Sequence, residues 1–114
     1  MRLAPPTPFL PVPDVEAAQA YYRDRLGFEI DWYNEEGRIG GVANGDCVIF
    51  FRAQPEPAAP AIFYIFAEDV DAAHEALTAR GAEIVEPLED KHWGLRQFTV
   101  QDAWGNRFHV FCDL

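Results

Sequence analysis

Serine is missing from this 114-residue sequence altogether. With it goes every serine nucleophile: no G-x-S-x-G elbow can be written, and no phosphate-binding glycine loop appears either. Basic residues are scarce, nine Lys and Arg against nineteen Asp and Glu, for a net charge of −10. That balance argues against a nucleic-acid groove, whose phosphate contacts need a basic face; the surplus acid serves solubility or favours a cationic ligand. The two cysteines, Cys47 and Cys112, lie far apart in strand-like runs and read as buried thiols of a cytoplasmic protein rather than as a disulfide framework. No apolar run approaches the roughly 20 residues that a membrane span needs. The opening residues, Met1 to Pro6, lack the apolar core of a signal peptide, so the expectation is a cytoplasmic protein with no membrane partner. A chain of this size has room for one domain with one modest core.

What the sequence does contain is a repeat. Asp14 followed by Val15-Glu16-Ala17-Ala18 is a helix N-cap with an acidic first turn. Val15, Ala18, Tyr22 and Leu26 then fall on one helical face, Arg23 and Arg25 suit the C-terminal end, and Gly27 supplies a left-handed stop. Asp69 opens a second copy: Val70, Ala73 and Leu77 share a face, Arg80 is in the last turn and Gly81 is the stop. Each helix follows a short apolar run, at Phe9-Leu10-Pro11-Val12 and Phe63-Tyr64-Ile65-Phe66. Each precedes strand-like sequence, at 28–33 and 82–85. Both halves close with a turn and a strand: Asn44-Gly45-Asp46 before 47–51, and Trp104-Gly105-Asn106 before 107–111. With the strand-like runs 38–43 and 94–101 between them, the pattern is β-α-β-β-β written twice, over 7–51 and 62–111. The proline-rich join at 54–60 is a semi-rigid spacer of about 3.1 Å per residue, able to hold the copies apart or to let one fold onto the other.

These motifs, Pro-Asp-Val at 13–15, Arg-Leu-Gly-Phe at 25–28, Asp-Val-Asp at 69–71 and Asp102-Ala103-Trp104-Gly105-Asn106, resemble those of the vicinal oxygen chelate superfamily. That superfamily includes glyoxalase I, extradiol dioxygenases and bleomycin-resistance proteins. The longer run 89–110, with its Trp93-Gly94 pair and a histidine on the last strand, is similar to bleomycin-resistance proteins in particular. The resemblance implies an α+β fold: two βαβββ modules forming curved mixed sheets, with the helices outside and a concave cup on the other face. It also implies a single domain over 1–114, with module one at about 7–53, the linker at 54–60 and module two at about 61–114.

In metal-dependent members the first and last strands of each unit supply ligands. Carried over by position, those places fall on Thr7, Ile49, Ile62 and His109. One histidine remains where a divalent cation needs three or four converging donors. His74 lies on the second helix and His92 in a loop before Trp93, and neither completes a set. No metal, no cofactor and no catalytic residue is therefore expected. The alternative is a metal-dependent lyase or dioxygenase of the same superfamily with relocated ligands.

Period-two alternation puts Arg107, His109 and Phe111 on one face of the last strand, which the resemblance makes the cup side, and the repeat adds Cys47, Ile49 and Phe51. If Phe28 packs beneath the first helix, Glu29, Asp31, Tyr33 and Glu35 face the cup or its rim, an assignment that a bulge would reverse. Phe9, Tyr64, Phe66, Trp93 and Phe98 add rings, which fill either the core or the cup. The expected ligand-binding set is Asp31, Trp32, Tyr33, Phe51, Tyr64, Phe66, Trp93, Arg107, His109 and Phe111. Flat aromatic walls with carboxylates nearby suit a planar or cationic ligand. The resemblance implies a homodimer that sequesters a bleomycin-like or other aromatic or cationic compound in clefts between subunits. It places Asp31 and Trp32 where that family carries acidic and aromatic contacts, and Tyr64 and Phe66 where it has tryptophans.

Overall fold

A computed structural model of the chain describes residues 1–56 and 58–114. The expected linker at 54–60 includes residue 57, which lies outside the described residues. In chain order the elements are β1 (Phe9–Val12), α1 (Val15–Leu26), β2 (Glu29–Asn34), β3 (Ile39–Asn44), β4 (Cys47–Ala53), β5 (Ile62–Phe66), α2 (Val70–Ala79), β6 (Glu83–Asp90), β7 (Leu95–Gln101) and β8 (Arg107–Asp113). The chain divides into two compact units, Met1–Ala59 and Pro60–Leu114. Each holds one βαβββ set in a four-stranded mixed sheet, so the α+β class and the repeat are as the sequence predicts. Among the described residues no helix is long and apolar enough to cross a membrane.

In unit one the sheet order is β1-β4-β3-β2, with β1 parallel to β4 and the other pairs antiparallel. The Asp14 carboxylate accepts the Ala17 N–H, satisfying one of the orphan donors at the helix start, and Gly27 ends α1 at a φ of 77°. Tyr22 is the centre of the packed face, edge-on to Phe28 at 5.7 Å and to Phe51 at 5.0 Å. The β2–β3 ladder shifts register between Ile30 and Trp32, leaving Asp31 as a bulge. Beneath this irregularity the buried Gln19 amide donates to the carbonyls of Trp32 (2.7 Å) and Gly41 (3.0 Å). Gln19→Leu strands both acceptors, and an expected loss of about 2 kcal/mol in urea unfolding follows. An unchanged midpoint would mean that water serves those carbonyls equally well.

Unit two has the order β5-β8-β7-β6, again with the first pair parallel. Asp69 caps α2 by accepting the Ala72 N–H, and Gly81 takes the left-handed conformation just past the helix. The α2 side of the sheet buries Val70, Phe98, Val100, Phe108 and Val110. Of the rings that fill either the core or the cup, Phe98 belongs to the core: it lies under α2, with the His74 imidazole edge-on to it at 4.9 Å.

The two hairpins that close the units differ, and the difference corrects one expectation. Residues Gly45 and Asp46 alone separate the paired Asn44 and Cys47, with Gly45 at the left-handed φ of 56° that so short a loop demands. The loop of unit two runs from 102 to 106, between the paired Gln101 and Arg107. Alignment through the turns is therefore out of step. The parallel ladders give the true correspondence: Phe9 pairs with Phe50 as Tyr64 pairs with His109, and Phe9 stands as far before Asp14 as Tyr64 before Asp69. Phe50, not Ile49, is the counterpart of His109. A slip of one residue exchanges the faces of a strand. Ile49 and Phe51 are thus fully buried, Phe51 against Tyr22 of α1, and Phe51 is not a cup residue.

Candidate functional site

The face of unit two that turns away from α2 is laid out in three rows running across β5, β8, β7 and β6. The ladder registers set them as Ile62–Arg107–Gln101–Glu83, Tyr64–His109–Thr99–Glu86 and Phe66–Phe111–Gln97–Glu89. Each row begins with an apolar or aromatic side chain on β5 and ends with a carboxylate on β6, so the face grades from rings to negative charge. Two bulges in β6, between Ile84 and Glu86 and between Glu86 and Glu89, bring the three glutamates onto this side.

The rings on the β5 side pack on one another. Tyr64 lies 4.6 Å from His109 and 5.5 Å from Phe111, and Phe66 lies edge-on to Phe111 at 5.6 Å. Tyr64 and Phe66 are nevertheless 49% and 55% exposed, so their outer surfaces remain available for stacking. The polar positions are tied crosswise. Arg107 Nε donates to Gln101 Oε1 at 2.8 Å, and Thr99 Oγ1 donates to Glu86 Oε2 at 2.9 Å while lying 2.6 Å from His109 Nδ1. Trp93, in the loop before β7, donates its indole N–H to Gln97 Oε1 at 3.2 Å. Lys91 stands 5.6 Å over the Trp93 ring and pairs with Glu89, and that hydrogen bond holds its ammonium above the ordinary lysine range.

Unit one offers a second aromatic row, Phe9–Phe50–Gly41–Trp32, across β1, β4, β3 and β2. Trp32 lies edge-on to Phe50 at 5.1 Å. It reaches that far because Gly41 has no side chain: a Cβ there would sit 2.5 Å from Trp32 Nε1. Arg52 stands 5.8 Å over the Phe9 ring at the row's end.

The bulge at Asp31 reverses the parity expected along β2, so Trp32 shares the face with Phe50 while Tyr33 does not. Tyr33 pairs with Gly40, whose Cβ would meet Val15 and Gln19 of α1, and is therefore a residue of the helix side. Burial, with Glu16, Glu35 and Asp14 nearby, raises its phenol. Asp31 is the exposed extra residue of the bulge on an edge strand. Of the ten expected residues, Tyr64, Phe66, Trp93, Arg107, His109 and Phe111 come together in unit two, Trp32 and the bulged Asp31 stand in unit one, and Phe51 and Tyr33 belong to the helix side. Cys47, expected on the cup side with Ile49 and Phe51, shares their face and so turns to the helix side; it is half-buried and free, and burial pushes its thiol up, away from the reactive thiolate.

Sequence reasoning passed over Phe50, Gly41, Thr99, Glu86 and Gln97. The alternation of Gln97 and Thr99 with Phe98 and Val100 was there to be read, yet nothing in a strand's pattern says which parity faces a ligand. The metal-dependent arrangement does not fit this chain. The positions carried over from that family hold Thr7, Ile62, His109 and, by the corrected register, Phe50. Among the described residues no three His, Cys, Asp or Glu side chains converge elsewhere.

Residues 4–110 match the Glyoxalase family, described as the Glyoxalase/Bleomycin resistance protein/Dioxygenase superfamily. Among solved structures, the bleomycin-binding protein of bleomycin-producing Streptomyces verticillus, complexed with copper(II)-bleomycin, is 27% identical with a TM-score of 0.80, over 96% of each chain. TioX from Micromonospora sp. ML1 is 26% identical with a TM-score of 0.80, over 96% of this chain and 100% of its own. A lactoylglutathione lyase from Agrobacterium tumefaciens, 22% identical with a TM-score of 0.73 over 95% and 92% of the two chains, shares the fold alone. No curated protein matches the sequence.

Proposed function

This chain belongs to the glyoxalase/bleomycin resistance protein/dioxygenase superfamily, and within it we propose a homodimeric protein of the bleomycin-resistance type that sequesters a planar or cationic small molecule without a metal or cofactor of its own. The observation that carries this reading is the graded face of unit two. Exposed rings of Tyr64 and Phe66 stand at one side and Glu83, Glu86 and Glu89 at the other, with oriented polar groups between them. A flat cation finds stacking surface and counter-charge there within one sheet. Unit one carries an aromatic row of its own, with Trp32 edge-on to Phe50, and Asp31 is exposed on the same edge strand. The work is binding, with no covalent step.

The likeness to the Streptomyces verticillus protein selects the probe. Calorimetry with copper(II)-bleomycin and with metal-free bleomycin is expected to give saturable binding at micromolar protein. No heat with either compound removes the drug from the reading. Protein purified without added metal is expected to carry no stoichiometric Ni, Zn, Mn or Fe by elemental analysis. One equivalent of any of them sinks the sequestration reading and favours a lyase or dioxygenase.

A further inference from the structure

Two polar side chains on the graded face have their hydrogen-bonding sense fixed by their neighbours, yet each keeps one group without a partner among the described residues. The first is Gln97, 2% exposed and facing away from α2 between Phe111 and Glu89. The Trp93 indole can only donate, so the amide atom it meets must be Oε1, and Nε2 is turned elsewhere. Among the described residues nothing accepts from Nε2. No wholly buried polar atom there lacks a partner, so Nε2 reaches the open surface through the small exposed part of the residue. Its two hydrogens are thus presented to the open surface, where water or a ligand can accept them.

The second is His109. Thr99 has a single hydroxyl hydrogen, and Glu86 takes it at 2.9 Å. The Thr99 oxygen can then only accept from the imidazole, so the hydrogen on the 2.6 Å contact belongs to His109 Nδ1. In the neutral ring Nε2 is left as an acceptor, and among the described residues it has no partner. Thr99 is itself 1% exposed, which shields this relay from competing water. Gln97 and His109 are diagonal neighbours on β7 and β8, about 7–8 Å apart at their Cα atoms. Phe111 pairs with Gln97 on this face, and Tyr64 lies against both Phe111 and His109.

We infer that Gln97 and His109 form a donor–acceptor pair of fixed sense that selects planar aromatic carboxamides. The ligand's carbonyl oxygen accepts from Gln97 Nε2, its N–H donates to His109 Nε2, and its ring stacks on Tyr64 or Phe111. Thr99 and Glu86 act as positioning residues by setting the tautomer. This rests on the small-molecule-binding reading above and names the ligand's polar edge.

Two measurements test it. Long-range proton–nitrogen NMR of the full chain is expected to show neutral His109 protonated on Nδ1, and Thr99→Val to shift it toward the Nε2–H form. An Nε2–H tautomer in the unaltered protein overturns the inference without reference to any ligand. Titration with 2-naphthamide and with 2-acetonaphthone, which keeps the carbonyl and lacks the N–H, is expected to show the amide binding about tenfold tighter. His109→Phe should bring that ratio to about one, and Gln97→Met should weaken both compounds about tenfold. Equal affinities in the unaltered protein overturn the pair, as does naphthamide failing to bind at millimolar concentration. The bleomycin titration is a separate arm. Drug binding without amide preference leaves the sequestration reading and removes this one, whereas amide preference without drug binding does the reverse to the drug assignment.

Discussion

Asp102→Ala is expected to cost about 3–5 kcal/mol in urea unfolding. The reason lies in how the long hairpin of unit two is closed. Asp102 and Asn106 are each 1% exposed. One Asp102 oxygen accepts the backbone N–H groups of Trp104 and Asn106, both at 2.9 Å, and the other accepts from Asn106 Nδ2 at 2.9 Å. Asn106 Oδ1 then accepts the N–H of Ala61, which ties the start of β5 to the β7–β8 loop. Alanine strands three donors, each worth about 1–3 kcal/mol when buried; the half-buried Trp104 end recovers some water, which keeps the total below the sum. The motif Asp-x-x-Gly-Asn is thus a closure for the sheet on which the graded face stands. Exchange of the pair, Asp102→Asn with Asn106→Asp, preserves each donor and acceptor in reverse and is expected to recover more than half of the loss suffered by Asp102→Asn alone. Equal destabilisation by the single and double variants would show that the charge at 102, not the hydrogen-bond network, holds the loop.

Gly41→Val is expected to cost about 3 kcal/mol and to displace Trp32. A Cβ at 41 meets Trp32 Nε1 at 2.5 Å and Phe50 Cδ1 at 3.0 Å, so the indole must leave its place over β3. Overpacking at such a site falls at the upper end of the usual 1–3 kcal/mol range because Phe50 is caught in the same clash. Loss of the near-ultraviolet circular dichroism of the Trp32–Phe50 pair and a roughly tenfold weaker response in the bleomycin titration are the readouts. Gly45→Ala is the control. Its Cβ meets nothing within 4 Å, but its φ of 56° strains a substituted residue by about 1–2 kcal/mol. It should lower stability while leaving the dichroism of the aromatic pair unmoved. If both variants behave alike, Gly41 is needed for backbone freedom and not to seat Trp32.

Much of the architecture was legible because its causes are local. Asp14 and Asp69 accept N–H groups three residues on, Gly27 and Gly81 take left-handed φ values, and the apolar spacing between them marks each packed helix face. Face assignments along the strands were less secure, since a period of two carries no origin. Alternation puts Arg107, His109 and Phe111 on one face, and the resemblance, not the pattern, makes that the side away from the helix. Tyr33 and Phe51 went to the wrong side through two events of a single residue each: the bulge at Asp31 and the shorter loop at Gly45-Asp46.

The sequence by itself determined that this protein is a doubled βαβββ unit and that its surplus charge is acidic. Those conclusions need only residue type and short-range spacing. Tertiary structure alone decided which residues of the other strands share a face with His109, how Gln97 and Thr99 are oriented beside it, and that Trp32 rests over a glycine. Cross-strand register depends on loop length and bulges summed along the chain, and a hydrogen bond's sense depends on partners distant in sequence; neither is written in the local pattern of any one strand.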